Sequence, residues 1–594
     1  MYEKNVSQSI VDFLYFEKNI KHVFSVTGGG AMFLNDAFGN HDGIRAIYNH
    51  HEQASAMCGV GYAKSIDDYG LVCVTTGCGC TNAITGLLDA WQDNVPVIFI
   101  SGQVKYKDTS RSKIDCQLRQ LGVQEANIIE VVKSLCKYSV MLDNSSNIRY
   151  ELEKALFIAK NDRPGPVWID IPQDIQGSPY SWVDEEGYIP SCNTQFISDY
   201  SLLQLTKYMQ DSQRPLVLAG NGIRISGQRD NFIKFIEEKR IPSVFSYLSI
   251  DLLSSDHELN IGRLGTKGDR AGNFAVQNCD LLLVLGSRLS IPLTGFEYDQ
   301  FARNAKIIVI DIDSQEHQKN TVKIDYLVQA DLRHFFSEQN FHKNLNEDWI
   351  STCNRWKSKW PVYQTEYSKE KNINMYEFIN ALSQTTSEKC HIVSDAGSAY
   401  YVTSQALQIK RGVRYETSGA QADMGFTIPA AIGIAIANPN KTVIGITGDG
   451  SFQMNIQELQ TIKHHKLNIK LVVWNNSGYL SIKTTQKKFF NSKFAGTDTS
   501  SGLTFPDLEK ISIAYGLEYV RFENPKDLKH KLGKVIDING PCILEIICPE
   551  FQEVIPNVSA KKNPDGSMTS MPLENMYPFM SKEELAREMI VKSD

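Results

Sequence analysis

Seven short apolar runs, each closed by a glycine, asparagine, aspartate or serine turn, constrain this chain more than any other feature: LVCVTTG (71–77), PVIFISG (96–102), PLVLAGNG (215–222), LLLVLGS (281–287), AKIIVIDID (305–313), KTVIGITGDG (441–450) and IKLVVWNN (469–476). Runs without polar alternation suit strands covered on both faces, and helical patterns separate them. That combination predicts an α/β chain built on parallel sheets. The runs fall into three blocks. Residues 1–185 close with several prolines in RPGPVWIDIPQDIQGSPY (163–180), residues 190–345 form a second block, and a charged connector (356–374) leads into a third at 371–550. Each block is expected to be a doubly wound parallel-sheet domain, followed by a tail at 551–594.

Bulk properties narrow the function classes. The 594 residues carry a formal net charge of -7 and no long Lys/Arg block, which argues against a nucleic-acid partner. The opening MYEKNVSQSIVDFLYFEKNI reads as a helix of mixed charge and not as a signal peptide. No apolar stretch approaches the ~18 residues of a membrane span. The 12 cysteines are scattered among apolar neighbours, as at Cys73, Cys279 and Cys548, and Cys78 and Cys80 lack CxxC spacing. Reduced, mostly buried thiols in a cytoplasmic protein without a membrane partner are the expectation.

One run ends on Gly448-Asp449-Gly450 and the next on Asn475-Asn476-Ser477-Gly478, with 24 residues between Gly450 and Asn475. A helix, expected near 455–466, fits that gap. Two parallel strand ends should then lie side by side at the carboxyl edge, where open sheets bind ligands. An ordinary Asp-Gly turn is the plain alternative. A carboxylate, an amide oxygen and a backbone carbonyl are hard ligands suited to Mg2+ or Ca2+, with phosphate and water completing the shell. Ser451 and the N–H groups opening the next helix favour a phosphate there.

The GDG…NN spacing resembles the diphosphate-binding motif of thiamine diphosphate (ThDP) enzymes. NHHEQASAMCGVGYAK (49–64), TGCGCTNAITGLLDAWQDNVPVIFISGQV (76–104), VQEA (123–126), RPGPVWIDIPQD (163–174) and TSGAQADMGFTIPAAIG (417–433) extend the resemblance over nearly the whole chain. Together they look most like the catalytic subunit of acetolactate (acetohydroxyacid) synthase. The resemblance implies pyrimidine-binding, central and diphosphate-binding domains in that order. It implies Asp449, Asn476 and the carbonyl of Gly478 as Mg2+ ligands. Gly28, Thr76, Asn82, Ala396, Met424, Gly448, Gly450, Ser451 and Tyr479 are implied as further cofactor contacts. Glu52 matches the carboxylate that handles the aminopyrimidine proton, Met424 the wedge under the folded cofactor, and Gln124 a glutamine near the substrates. The implied reaction decarboxylates a 2-keto acid, pyruvate first, and transfers the remaining acyl unit to a carbonyl acceptor. Glu52 and the diphosphate site come from different subunits in that family, which implies a homodimer or homotetramer. Non-redox FAD is also implied, in the central domain at Gly220-Asn221-Gly222, 262–273, 286–290 and 310–313.

Four positions depart from that pattern. Pro292 stands where an acceptor-binding arginine is expected, Gln173 where a lysine is, Thr485 where a tryptophan is, and Val123 where a phenylalanine is. Losing both cations weakens the case for a second substrate bearing a carboxylate, unless Arg288 or Lys267 takes over. Losing both aromatic rings enlarges the pocket. The acceptor is expected to be a second pyruvate or, as these departures favour, a bulkier carbonyl compound: a keto-sugar nucleotide, or another ketone or aldehyde. The competing readings are a simple 2-keto acid decarboxylase and a noncatalytic scaffold; retention of Glu52, Asp449 and Asn476 argues against the scaffold. Elsewhere, His464 and His465 are expected as cations complementing a helix C-terminus. Lys487 and Lys488 read as a solvated face. The tail, with Met568, Met571, Met576, Tyr577 and Phe579, reads as a docked lid over the active site.

Overall fold

A computed structural model describes residues 4–113, 115–143, 146–191, 195–338, 346–562, 565 and 568–591, and all seven apolar runs are strands in it. They belong to three six-stranded sheets whose strand pairs are all parallel. The first sheet runs, edge to edge, Arg45–Tyr48, His22–Ser25, Gly70–Val74, Val97–Gln103, Val167–Pro172, Tyr138–Met141. The third runs Arg414–Thr417, Cys390–Ser394, Thr442–Gly448, Ile469–Asn475, Cys542–Ile547, Glu518–Phe522. Counted along the chain, both have the strand order 2-1-3-4-6-5. The central sheet differs: Asn260–Arg263, Ser243–Phe245, Pro215–Ala219, Leu281–Leu285, Lys306–Asp311, Tyr326–Gln329 is the order 3-2-1-4-5-6 of dinucleotide-binding folds.

The two outer domains are joined by equivalent helices. Glu52–Ile66 follows the second strand of the first sheet, and Thr427–Ala437 the second strand of the third. Both are buried along most of their length, so each needs cover on nearly every face. Small residues let the backbones touch: a Cβ on Gly433 would lie 2.1 Å from the Cys58 carbonyl, and one on Gly61 would lie 2.6 Å from that of Ala430. One apolar core continues through this contact from Phe24 and Met57 to Ile432 and Val443. Beside it, Lys64 pairs with Asp93 at 2.7 Å, and Asp93 also accepts from the backbone of Gly419 and Ala420 at 2.8 and 2.9 Å.

The tail docks on the central domain. Glu588 takes Arg355 and the indole of Trp356 at 2.6 and 3.0 Å, while Glu574 takes Gln277 and Arg303 at 2.6 and 2.9 Å. Leu573 and Met576 are buried there. Among the described residues, no helix is long and apolar enough to cross a membrane.

Candidate active site

The register of the third sheet pairs Gly448 with Trp474, so the two strand ends singled out by spacing are neighbours. The Asp449 carboxylate accepts the N–H groups of Gly450 at 2.8 Å, Gly478 at 3.1 Å and Asn476 at 3.2 Å. The Asn476 side-chain amide donates to the Gly478 carbonyl at 2.8 Å. The three expected metal ligands thus form one cluster with a single carboxylate and two neutral oxygens, a set that fits Mg2+ with phosphate completing the shell. Burial raises the Asp449 carboxyl to about 6 against the pull of these N–H donors. Gly450 has no room for a side chain, because a Cβ would fall 1.9 Å from the ring of Tyr479.

The strand next to this pair, Cys390–Ser394, ends in a residue that the spacing argument missed. Asp395 is fully buried and accepts from Thr447 Oγ1 at 2.8 Å, Ser451 Oγ at 2.5 Å and the Ala396 N–H at 2.7 Å. Ser451 Oγ in turn accepts the Gly425 N–H at 2.7 Å. Burial lifts the Asp395 carboxyl to about 6. Ala396, Thr447, Ser451 and Gly425 are therefore one network around Asp395, across the point where strand order reverses. The signal for Asp395 was present: IVSDAG (392–397) repeats the apolar-run, acid, glycine pattern of ITGDG (446–450).

The helix expected at 455–466 is broken into pieces. A turn of α-helix at Asp449–Phe452 leads to a 3-10 stretch at Gln453–Glu458, and regular helix resumes at Leu459–His465. Asn455 leaves helical geometry (φ -134) because its buried amide donates to the Gly425 carbonyl at 2.8 Å. Glu458 is held by the N-terminal domain, accepting from Asn49 Nδ2 at 2.9 Å and the His50 N–H at 2.8 Å. The expected cationic role of His465 is overturned. Burial and then Arg45, whose guanidinium lies 2.8 Å from the ring, lower its pKa to about 4.

The remaining expected residues gather at the carboxyl edge of the first sheet. Glu52 is the first residue of its helix, behind the His51 cap, and its buried carboxylate accepts from Asn82 Nδ2 at 2.9 Å. The Gly28–Gly30 loop closes on the next strand end, with the Gly30 N–H on Thr75 Oγ1 at 3.0 Å. Thr76 donates to Gln103 at 2.7 Å. Gly77 (φ +66) passes so close to the Gln124 carbonyl that a Cβ would lie 2.4 Å from it. Gln124 itself has φ +63, a left-handed conformation that costs a non-glycine residue roughly 1–2 kcal/mol. Among the described residues, no hydrogen bond joins this group to the Asp449 group.

At the corresponding reversal of the central sheet lies a cavity of about 830 Å3, lined by Asn221, Gly222, Gly286, Ser287 and Asp311 among others. A Cβ on Gly222 would lie 2.7 Å from Gly286 Cα, and Asn221 Oδ1 is buried without a partner. The expected contribution of 262–273 to this cavity is not seen: none of its residues is in the lining, and Asn273 instead donates to the carbonyls of Gly265 and Leu573. Of the four departures, Gln173 donates to the Gly29 carbonyl at 3.1 Å, and the Pro292 carbonyl accepts from the Thr266 N–H at 2.8 Å. Val123 is 82% exposed, and Thr485 is exposed on the helix Leu480–Phe489.

Comparison with known proteins agrees with the three-sheet architecture. The N-terminal TPP binding domain of thiamine pyrophosphate enzymes matches residues 4–127, the central domain of those enzymes matches 202–338, and their C-terminal TPP binding domain matches 395–546. The chain belongs to the thiamine pyrophosphate enzyme family. It is 32% identical to the acetolactate synthase large subunit of Lactococcus lactis over 92% of this chain and 93% of that protein. It is 30% identical to the acetolactate synthase large subunit of Cyanidium caldarium, over 93% and 95% of the two chains. The chloroplastic acetolactate synthase of Arabidopsis thaliana is also 30% identical, over 91% and 81%. This is a ThDP-dependent, acetolactate-synthase-like enzyme, and its two outer domains are the cofactor-binding ones.

Proposed function

We propose that this ThDP enzyme is a decarboxylating carboligase: it removes carbon dioxide from a 2-keto acid, pyruvate first, and joins the two-carbon remainder to a carbonyl acceptor. When bound, ThDP supplies a carbon centre that takes up the electron pair left by carbon dioxide and delivers it to the acceptor's carbonyl carbon, whose oxygen gains a proton. Asp449, Asn476 and the Gly478 carbonyl would hold Mg2+ against the diphosphate. Ser451 and the N–H groups at Gly450 and Ala396 present polar contacts at the same edge. Glu52 holds or moves a proton at the aminopyrimidine nitrogen, and Asn82 orients its carboxylate. Met424 would support the bound cofactor, and Gln124 would lie near the substrates.

The observation that carries this reading is the clustering of Asp449, Asn476 and Gly478 on adjacent strand tips. Because Glu52 belongs to a separate half-site, two copies of the chain would complete each other's sites in a homodimer or homotetramer. The cavity at Asn221 and Gly286, with its orphan amide oxygen, suits a dinucleotide, FAD without redox turnover. The docked tail would act as a lid. Pro292, Val123 and Thr485 support an acceptor larger than pyruvate, a keto-sugar nucleotide or another ketone or aldehyde.

The test is a product screen with ThDP and Mg2+, using pyruvate alone and pyruvate with larger carbonyl acceptors. Carbon dioxide release with a ligated product is expected. Fast acetolactate formation from pyruvate alone would remove the bulky acceptor, free aldehyde as the end product would make the enzyme a simple decarboxylase, and absence of carbon dioxide release would overturn the reading.

A further inference from the structure

Several buried or half-buried lysines in this protein are tied to oxygen atoms. Lys64 reaches Asp93 at 2.7 Å, Lys357 the carbonyls of Ser255 and Asn260 at 2.7 and 2.6 Å, Lys470 the Ile538 carbonyl at 2.6 Å, and Lys483 reaches Asp498 at 3.2 Å. Lys267, half-buried, instead meets a ring, as Lys21 does on Tyr15 in the first domain. Its ammonium sits 3.7 Å over the ring of Tyr401, and among the described residues it has neither an ion-pair nor a hydrogen-bond partner. Burial lowers its pKa to about 8. A ring face attracts the charge but leaves three N–H donors to satisfy.

The place of this lysine matters as much as its isolation. Its own N–H donates to Tyr247 OH at 3.2 Å, and Thr266 is held from both sides, by the Pro292 carbonyl at 2.8 Å and the Val558 N–H at 2.7 Å. The lysine loop is therefore fixed between the central sheet and the docked tail. Tyr401 lies on the helix Gly397–Ala406, which opens directly after Asp395 and Ala396. Gly397 and Tyr401 are four residues apart and share a helix face, about 6 Å along its axis. A Cβ on Gly397 would lie 3.2 Å from Ser481 Oγ, just beyond Tyr479. Tyr401, whose ring the ammonium caps, is thus rooted one helical turn from the strand end that carries Asp395. Arg288, the other candidate cation, is already paired with Glu316 at 3.2 Å.

We propose that Lys267 is the cation that receives the anionic group, carboxylate or phosphate, of a substrate at the ThDP site. This rests on the carboligase reading above. The Tyr401 ring would keep the ammonium in place and shielded from water until the anion supplies charge-assisted hydrogen bonds.

The experiment compares wild-type holoenzyme with Lys267→Met, which keeps the packing over Tyr401, with Lys267→Gln as a second charge-free variant, and with Lys267→Arg. Three constants are measured with ThDP and Mg2+: the KM of pyruvate in carbon dioxide release, and the inhibition constants of oxalate and glycerol phosphate. The expected result is a rise of about tenfold or more in at least one constant in both charge-free variants. It should come with kcat nearly unchanged and with recovery in Lys267→Arg. A shift in the pyruvate KM identifies the anion as the donor's carboxylate. A shift confined to oxalate or glycerol phosphate places it on the second substrate and tells carboxylate from phosphate. Three unchanged constants, or a loss of kcat that Lys267→Arg shares, would overturn the proposal. Absence of carbon dioxide release by the wild type would instead sink the carboligase reading itself.

Discussion

The first and third sheets repeat one strand order, and their carboxyl edges carry opposite equipment. At the first, the reversal between strand 1 and strand 3 is lined by Gly28, Gly30, Thr75 and Thr76, with Glu52 arriving from a helix. At the third, the same reversal is bridged by Asp395, Thr447 and Ser451, and the next strand tip adds Asn476 to Asp449. Topology decides where each half-site lies; the few residues past each strand decide what it can hold. The central sheet makes the point from the other side. With the order 3-2-1-4-5-6 it also opens at its reversal, and there Gly220, Gly222 and Gly286 pack backbone against backbone beside a cavity that Asp311 lines.

The sharpest way to break the comparison is to disable each outer half-site separately. Asp449→Ala should abolish ThDP binding in the presence of Mg2+, read by calorimetric titration. Glu52→Gln should still bind the cofactor but turn over about 10²–10⁴-fold more slowly. Equal loss of binding in both would mean that the two edges are not specialised. Next in size is the contact that joins them. Gly433→Val drives a side chain into the Cys58 carbonyl and should cost about 3 kcal/mol in denaturant unfolding, because neither helix backbone can retreat. A Gly222→Ala change in the central sheet should leave ThDP binding untouched.

Asp395→Ala is expected to have a smaller effect. It leaves two hydroxyls and the Ala396 N–H without an acceptor in a buried site, at about 2 kcal/mol and with weaker ThDP binding, whereas Asp395→Asn should retain most of both. The smallest effect is pH-dependent. Burial, then Arg45, lowers the His22 pKa to about 4, so the unfolded chain takes up a proton between pH 6.5 and 4 that the folded chain refuses. That contribution to stability is complete above pH 6.5 and is lost as pH falls toward 4, by on the order of 2 kcal/mol. Urea titrations of wild type and His22→Gln at pH 7 and pH 5 should differ in slope with pH, the wild type losing more.

Much of this architecture was legible because its signals are local. An apolar run buried on both faces, a glycine turn and a helical period are properties of neighbouring residues, and all seven runs became parallel strands. The GDG…NN spacing worked for the same reason: one strand–helix–strand unit has little freedom in where its two tips fall. The failures concern long-range ties. The helix after Asp449 breaks at Asn455 because of Gly425 and is anchored at Glu458 by Asn49 and His50, more than 400 positions away in the chain. His465 is not the helix-end cation its position suggests, because Arg45 of another domain lies against it.

By itself, the sequence determined the parallel α/β class, the division into three sheets and the pair of strand tips that carry Asp449 and Asn476, since each follows from short-range pattern and turn chemistry. Only the tertiary structure decided that Asp395 spans a strand reversal, that Gly61 and Gly433 bring two helices into backbone contact, and that the half-buried Lys267 meets a ring and, among the described residues, no oxygen. Those outcomes depend on which distant groups exclude water from a side chain and which partners remain to replace it, and no local pattern encodes either.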